Sequence, residues 1–322
     1  MKAVLQRQYG RPEDVLEVTE APDPIPGDGE VLVRVRAAGV NWADCALTRG
    51  VPYMLRAGYG LRRPKHPVRG TDVAGVVEAV GRGVTELHEG DEVFGSCTGA
   101  FAELATARAD DVTAKPTTIP FEEAAGATMS GLVALQAMRD VAAVQPGQKV
   151  LVNGASGGIG TFAVQVAKTL DAEVTGVCST PHLELVRSIG ADHVIDYKSE
   201  DFTRNGRRYD VILDMADDRS LPDRRRALTP NGTLIPNSGR GNRFVGSLGR
   251  IVQARLASLV VSQSFRPFLS TQNRDDLLAL RRLLEDGSVR PIVGERHPLD
   301  DAAAAVTTAG GGHATGKVVL VV

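Results

Sequence analysis

Residues Gly147 to Lys168 constrain the fold of this chain more than any other stretch. Val150, Leu151 and Val152 form a short apolar run suited to a strand buried on both faces. A turn dense in glycine follows (Gly154, Gly157, Gly158, Gly160), and Phe162, Val164, Val166 and Ala167 then open a helical pattern. Strand, glycine turn and helix in this order make a phosphate cradle in an α/β sheet. Glycine lets the backbone approach the oxygens, and the first N–H groups of the helix supply donors at the positive end of its dipole. The residues of this turn expected to hold a dinucleotide are Gly154, Ser156, Gly157, Gly158 and Ile159.

The 322 residues are too many for one core, so two domains are expected. A hydrophobic fraction of 43% and a formal net charge of −2 fit a soluble globular protein and give no basic stripe for nucleic acid or an anionic membrane. Arg224-Arg225-Arg226 is the densest basic cluster and is expected on the solvated face of a helix. The opening residues carry no signal-peptide core, and no apolar stretch is long enough to span a bilayer. The three cysteines, Cys45, Cys97 and Cys178, are scattered, which suits small packing residues in a reducing cytoplasm.

Organisation changes along the chain. The first third reads as short strands punctuated by Gly and Pro, with candidates at 31–36, 73–81 and 90–95, and suggests a barrel-like β domain. An Ala-rich helix is expected over 122–138, behind Pro120. Strands at 150–153, 173–178, 193–195, 210–215 and 232–236 then alternate with helices at 158–170 and 181–189. This alternation predicts a doubly wound parallel sheet. The tail predicts a helix over 274–285, a strand near 289–293, a helix near 299–309 and a last strand over 317–322.

Taken together, these features resemble the medium-chain dehydrogenase/reductases, in their zinc-free quinone oxidoreductase (zeta-crystallin-like) branch. The resemblance rests on Gly147-Gln148, Leu151, Ala155-Ser156-Gly157-Gly158, Gly160, Gln165 and Lys168. Distant matches are Gly39-Val40-Asn41 with Asp44, Gly70-Thr71-Asp72 with Ala74-Gly75, Gly190-Ala191-Asp192 with Asp196-Tyr197, and Gly316-Lys317-Val318-Val319-Leu320. It implies a Rossmann doubly wound parallel sheet inserted in a chaperonin-10-like, β-rich catalytic domain. The catalytic domain would take residues 1–122 and 268–322, and the dinucleotide-binding domain 123–267. Short-chain reductases share the glycine turn. They are set aside because the motif lies mid-chain and none of the five tyrosines has Lys four residues on.

Zinc is not expected. Asn41 stands where zinc-dependent relatives carry Cys, and Gly70-Thr71-Asp72 where they carry Gly-His-Glu. Without a Lewis acid, reduction of an electron-poor acceptor is favoured over alcohol oxidation. The second strand of the sheet ends in Cys178-Ser179-Thr180 without the acid that usually accepts from an NAD ribose. NADPH is therefore expected over NADH, with Ser179, Thr180 and His182 near the 2′-phosphate. The resemblance adds Tyr197 beside the adenine and Ser238, in the turn Asn237-Ser238-Gly239, near the nicotinamide ribose.

The resemblance further implies that Asn41 hydrogen-bonds in the active site and that Tyr53 lines the substrate pocket, where its phenol would bond a carbonyl or pass a proton. Trp42 reads equally as a pocket wall or a core residue, and Asp44 as a fixer of its loop. Val133 replaces a threonine common in relatives. The expected protein is a cytoplasmic NADPH-dependent reductase of quinones or other conjugated carbonyl compounds, with a small-molecule electron acceptor as partner. Alternatives left open are an enoyl-thioester reductase, for which Arg56, Arg62, Arg63 and Lys65 would form a basic lip, an alcohol dehydrogenase, and a non-catalytic NADPH-binding protein. A homodimer is expected by analogy, with Leu259-Val260-Val261 as edge segment and a helical stretch over 241–262.

Overall fold

The computed structural model of the chain describes residues 1–237, 243–244 and 262–322. Ser238, the edge segment Leu259–Val261 and nearly all of 241–262 lie outside the described residues. Fifteen strands are described: β1 (Lys2–Gln6), β2 (Leu16–Glu20), β3 (Glu30–Val40), β4 (Asp72–Val80), β5 (Glu92–Ser96), β6 (Leu104–Arg108), β7 (Val112–Ala114), β8 (Lys149–Asn153), β9 (Glu173–Cys178), β10 (His193–Asp196), β11 (Tyr209–Asp214), β12 (Leu228–Pro236), β13 (Ser264–Phe265), β14 (Val293–Pro298) and β15 (Lys317–Val321). They fall into two compact units, Met1–Leu132 with Thr271–Val322, and Val133–Ser270. The divide falls inside the helix Phe121–Leu135.

The first unit is built on a seven-stranded sheet ordered β14-β15-β3-β4-β5-β7, with β6 on β3 and the ribbon β1-β2 alongside. Strand β15 arrives from the end of the chain, pairs antiparallel with β3 and sets Val318 opposite Val40. Gly39 lets the Phe121–Leu135 helix lie against the sheet, since a Cβ there would come within 2.4 Å of the Ala125 carbonyl oxygen. Val33, Val73, Phe101, Val318 and Leu320 belong to one buried apolar cluster.

The second unit holds a six-stranded sheet, parallel throughout and ordered β10-β9-β8-β11-β12-β13, which is the Rossmann order. Val150, Leu151 and Val152 on β8 are 0% exposed, each contributing roughly 1.5–3 kcal/mol of burial. A central parallel strand is covered on both faces, so it carries an apolar run without alternation.

Three local expectations need correction. The strand placed near 289–293 runs instead over Val293–Pro298. Pro291 lacks the N–H a ladder needs, and β14 is a largely exposed edge strand with no apolar run to mark it. The helix expected to 138 gives way at Gln136–Val141 to one wider π-helical turn. Arg224 does not lie on a solvated face: it is buried, with Nη1 donating to Asp214 at 2.6 Å and Asp217 at 2.9 Å. Arg225 donates to Gln263, and only Arg226 is exposed.

Candidate active site

The first unit gathers a buried polar cluster at the end of β3. Asn41 directly follows that strand and is the N-cap of the helix Trp42–Arg49. Its Oδ1 accepts from Lys317 Nζ at 2.5 Å, and its Nδ2 donates to Asp72 Oδ2 at 3.0 Å. Both ends of the amide are therefore assigned by their partners. Asp72 also accepts from the Met129 backbone N–H at 3.1 Å and from Thr71 Oγ1 at 3.3 Å. Asp44 binds the other side of the turn, its Oδ2 accepting from the Asn41 N–H at 2.8 Å, as a loop-fixing residue would.

Exposure is 6% at Asn41, 2% at Asp44, 0% at Asp72 and 3% at Lys317. Burial drives the Asp72 carboxyl upward, with the Lys317 ammonium and the Asn41 amide opposing it. Burial likewise lowers Lys317, with Asp72 and Asp44 opposing. Burial pushes Asp44 up to about 6. Asn41 thus bridges an internal cation and an internal anion, each the other's main compensation.

Tyr53 is half-buried in the segment after that helix, and Arg56 stacks over its ring at 4.7 Å and over Tyr9 at 4.5 Å. Trp42 is 43% exposed and so is not a core residue. Among the described residues, no group of three or more His, Cys, Asp or Glu side chains is placed to hold a metal ion. Cys45, Cys97 and Cys178 are free, and burial raises all three thiols, Cys178 to about 11. Val133, the departure noted above, is buried at 8% exposure.

The second unit carries the glycine turn. Gly154 has φ +92°, and a Cβ at Gly160 would sit 2.1 Å from the Gly154 carbonyl oxygen, so both positions require glycine. Gly157 is the N-cap of the helix Gly158–Thr169 and supplies no side-chain cap, which leaves the first helical N–H groups without a side-chain acceptor from that position. These residues fit a pyrophosphate. At the ends of β8 and β11, Asn153 donates to Asp214 Oδ1 at 2.9 Å and to Asp218 at 3.0 Å, while Arg224 donates to Asp214 Oδ2. This network fixes the loop that follows β11.

At the end of β9 the structure adds a group that the sequence reading missed. Asp196 pairs in register with Cys178, and its Oδ2 accepts from Thr180 Oγ1 at 2.6 Å. The hydrogen bonds from Thr180 and from the Lys198 backbone hold this carboxyl below its ordinary range. An anion therefore stands beside Ser179 and Thr180, supplied by β10 rather than β9, and the Thr180 hydroxyl proton is committed to it. Tyr197 is 43% exposed next to it, its backbone N–H bonded to the Cys178 carbonyl at 3.1 Å. His182 lies in the short 3-10 turn that follows. Lys317, Asp72 and Asp196 entered the sequence reading only as parts of matched motifs. The available signal was a lone lysine heading an apolar strand.

A six-stranded Rossmann sheet joined to a unit built from both ends of the chain defines a two-unit dehydrogenase/reductase. Residues 27–117 match the alcohol dehydrogenase GroES-like domain, and residues 189–320 match the family described as zinc-binding dehydrogenase. A chloroplast envelope quinone oxidoreductase homolog of Arabidopsis thaliana is 31% identical, over 99% of this chain and 98% of its own. The solved quinone oxidoreductase of Coxiella burnetii superposes with a TM-score of 0.86 at 26% identity, covering 100% of this chain and 99% of its own. A mycobacterial structure complexed with NADPH gives 0.84 at 28% identity, covering 100% of both. The chain belongs to the quinone oxidoreductase branch of the medium-chain dehydrogenase/reductases, and is an oxidoreductase. Among the described residues, no helix is long and apolar enough to cross a membrane.

Proposed function

We propose that this chain is a zinc-independent, NADPH-dependent reductase that passes hydride to a quinone or another conjugated carbonyl compound. The observation that carries the reading is the Lys317–Asn41–Asp72 cluster. Asn41 and Asp72 stand where zinc-dependent relatives carry ligands. Here the Asn41 carbonyl oxygen is taken by an ammonium, whose charge would repel a divalent cation at the same place. That ammonium also draws electron density from the amide, which makes Asn41 Nδ2–H a stronger donor toward a developing oxyanion.

Asn41 and Tyr53 orient the acceptor, and the last proton comes from Tyr53 or water. Bound NADPH would supply the hydride. Gly154, Ser156, Gly157, Gly158 and Ile159 hold its pyrophosphate, Ser179, Thr180 and His182 its 2′-phosphate, and Tyr197 its adenine; Ser238 joins the nicotinamide ribose. The NADPH-bound mycobacterial relative supports this choice, and Asp196 opposes it. An Asp196→Asn variant should raise the NADPH-to-NADH ratio of kcat/KM about tenfold by removing one anion near the phosphate; an unchanged ratio would clear Asp196 of any part in selection. A homodimer in the cytoplasm completes the reading.

The deciding experiment follows oxidation of NADPH and NADH by the purified protein with naphthoquinone, with and without EDTA. Turnover should prefer NADPH and ignore the chelator. Asn41→Ala should lower kcat about a hundredfold, the cost of one oxyanion donor, and Tyr53→Phe should alter kcat or KM. Chelator-sensitive turnover would overturn zinc independence, and no turnover with any conjugated carbonyl would overturn the activity.

A further inference from the structure

The sequence between Asp44 and Asp72 holds six Lys and Arg residues and no acid, in a chain whose formal net charge is −2. One of the six, Arg69, is buried, at 8% exposure. Its Nε has no hydrogen-bond partner, and its guanidinium makes no ion pair among the described residues. The backbone holds it in place: the Arg69 N–H donates to the Val4 carbonyl at 3.1 Å, and its carbonyl accepts from Phe101 at 2.8 Å. Arginine cannot shed its proton, so its burial cannot be relieved by deprotonation. Asp44 is the carboxyl on which its charge acts, with no hydrogen bond or ion pair between them among the described residues, and a buried charge so incompletely paired is costly unless something more compensates it.

Its surroundings lie within the acceptor region of this unit. The charge of Arg69 acts on Asp44, whose Oδ2 is already bonded to the Asn41 backbone, and on Tyr9, which shares Arg56 with Tyr53. Farther out, Arg63 and Lys65 are exposed without ion pairs among the described residues. With Arg7 they line a cavity of about 560 Å³. Arg56 and Arg69 both act on Tyr9, so this unit gathers cations at an exposed loop and at the acceptor region alike, an excess that attracts anions.

We infer that Arg69 anchors an anionic group of the acceptor, so that the preferred substrate carries a carboxylate, sulfonate or phosphate beside its conjugated carbonyl. The fork of the guanidinium suits two oxygens at once. This inference rests on the reductase reading given above and names its substrate class.

The test compares naphthoquinone with naphthoquinone sulfonate in wild type, Arg69→Met and Arg69→Lys, and measures binding of unreactive naphthalene sulfonate, benzoate and phenyl phosphate by calorimetry. The ratio of kcat/KM for the sulfonate over the neutral quinone should fall about tenfold or more in Arg69→Met and recover in part in Arg69→Lys. Whichever unreactive anion binds most tightly through Arg69 identifies the natural group. An unchanged ratio, or no anion binding to wild type at millimolar concentration, would overturn the inference. Should Arg69→Met fail to fold, Arg63→Gln/Lys65→Gln leaves the buried site intact. It should lower and flatten the salt dependence of kcat/KM for the sulfonate; an unaltered salt dependence counts against the inference. Anion binding through Arg69 without quinone turnover would retain the site and discard the reductase reading.

Discussion

Single side chains set the character of the candidate site. Lys317 and Asp72 are buried on opposite sides of Asn41, so removing one leaves the other without its main compensation. Lys317→Met should cost about 3–5 kcal/mol of stability, and Lys317→Met/Asp72→Asn should recover much of that because no buried charge is left unmatched. Chemical unfolding followed by the emission of Trp42, the only tryptophan and a member of this unit, measures both. A double variant as unstable as the single one would show that packing, not charge, dominates. Asp44 gives a second expectation. Its folded-state pKa of about 6 lies above the unfolded value, so the folded form holds the proton more tightly. Its contribution is fully present below about pH 4 and is lost as pH rises to about 6, a change of roughly 3 kcal/mol. The stability of Asp44→Asn relative to wild type should therefore improve between pH 4 and 7 by up to about that amount; a flat difference would refute the shift.

Among the elements, the strand–turn–helix of β8 and its glycines was the most legible in sequence. Its signals are local: an apolar run, four glycines and an amphipathic helix, observed over Lys149–Asn153 and Gly158–Thr169. Gly157 and Gly160 separate two demands on that turn. A Cβ at Gly160 collides with backbone, whereas one at Gly157 has only the Gly154 carbonyl at 3.4 Å. Gly157→Ala should then fold with a melting temperature within about 3 °C of wild type yet weaken NADPH binding about tenfold, because the methyl group crowds the phosphate rather than the protein. Unchanged binding by calorimetry would remove the pyrophosphate from this turn. Elements lacking a local signal were misread. The edge strand β14 carries polar residues because one side faces solvent, and Arg224 sits inside because Asp214 and Asp217, ten and seven residues earlier, reach it in the folded unit.

On the scale of the molecule, the first unit is closed by the end of the chain. β15 lies between β14 and β3, so six C-terminal residues supply both an interior strand and the ammonium beside Asn41. Deleting residues 317–322 should abolish the cooperative Trp42 transition in chemical unfolding, far beyond the effect of Lys317→Met alone; a retained transition would mean that β15 is dispensable. By itself the sequence determined the layered α/β architecture and the glycine-rich strand–turn–helix, and it proposed Asn41 as a site residue, because each is written in neighbouring residues or in motifs at fixed spacing. Only the tertiary structure decided what surrounds them. Lys317 meets Asn41 across 276 residues, Asp196 comes to Thr180 from the adjacent strand, and Arg69 is buried with its Nε left without a hydrogen-bond partner. These are outcomes of strand order and register. A buried charge is identified by the company it keeps in space, and linear spacing does not encode that company.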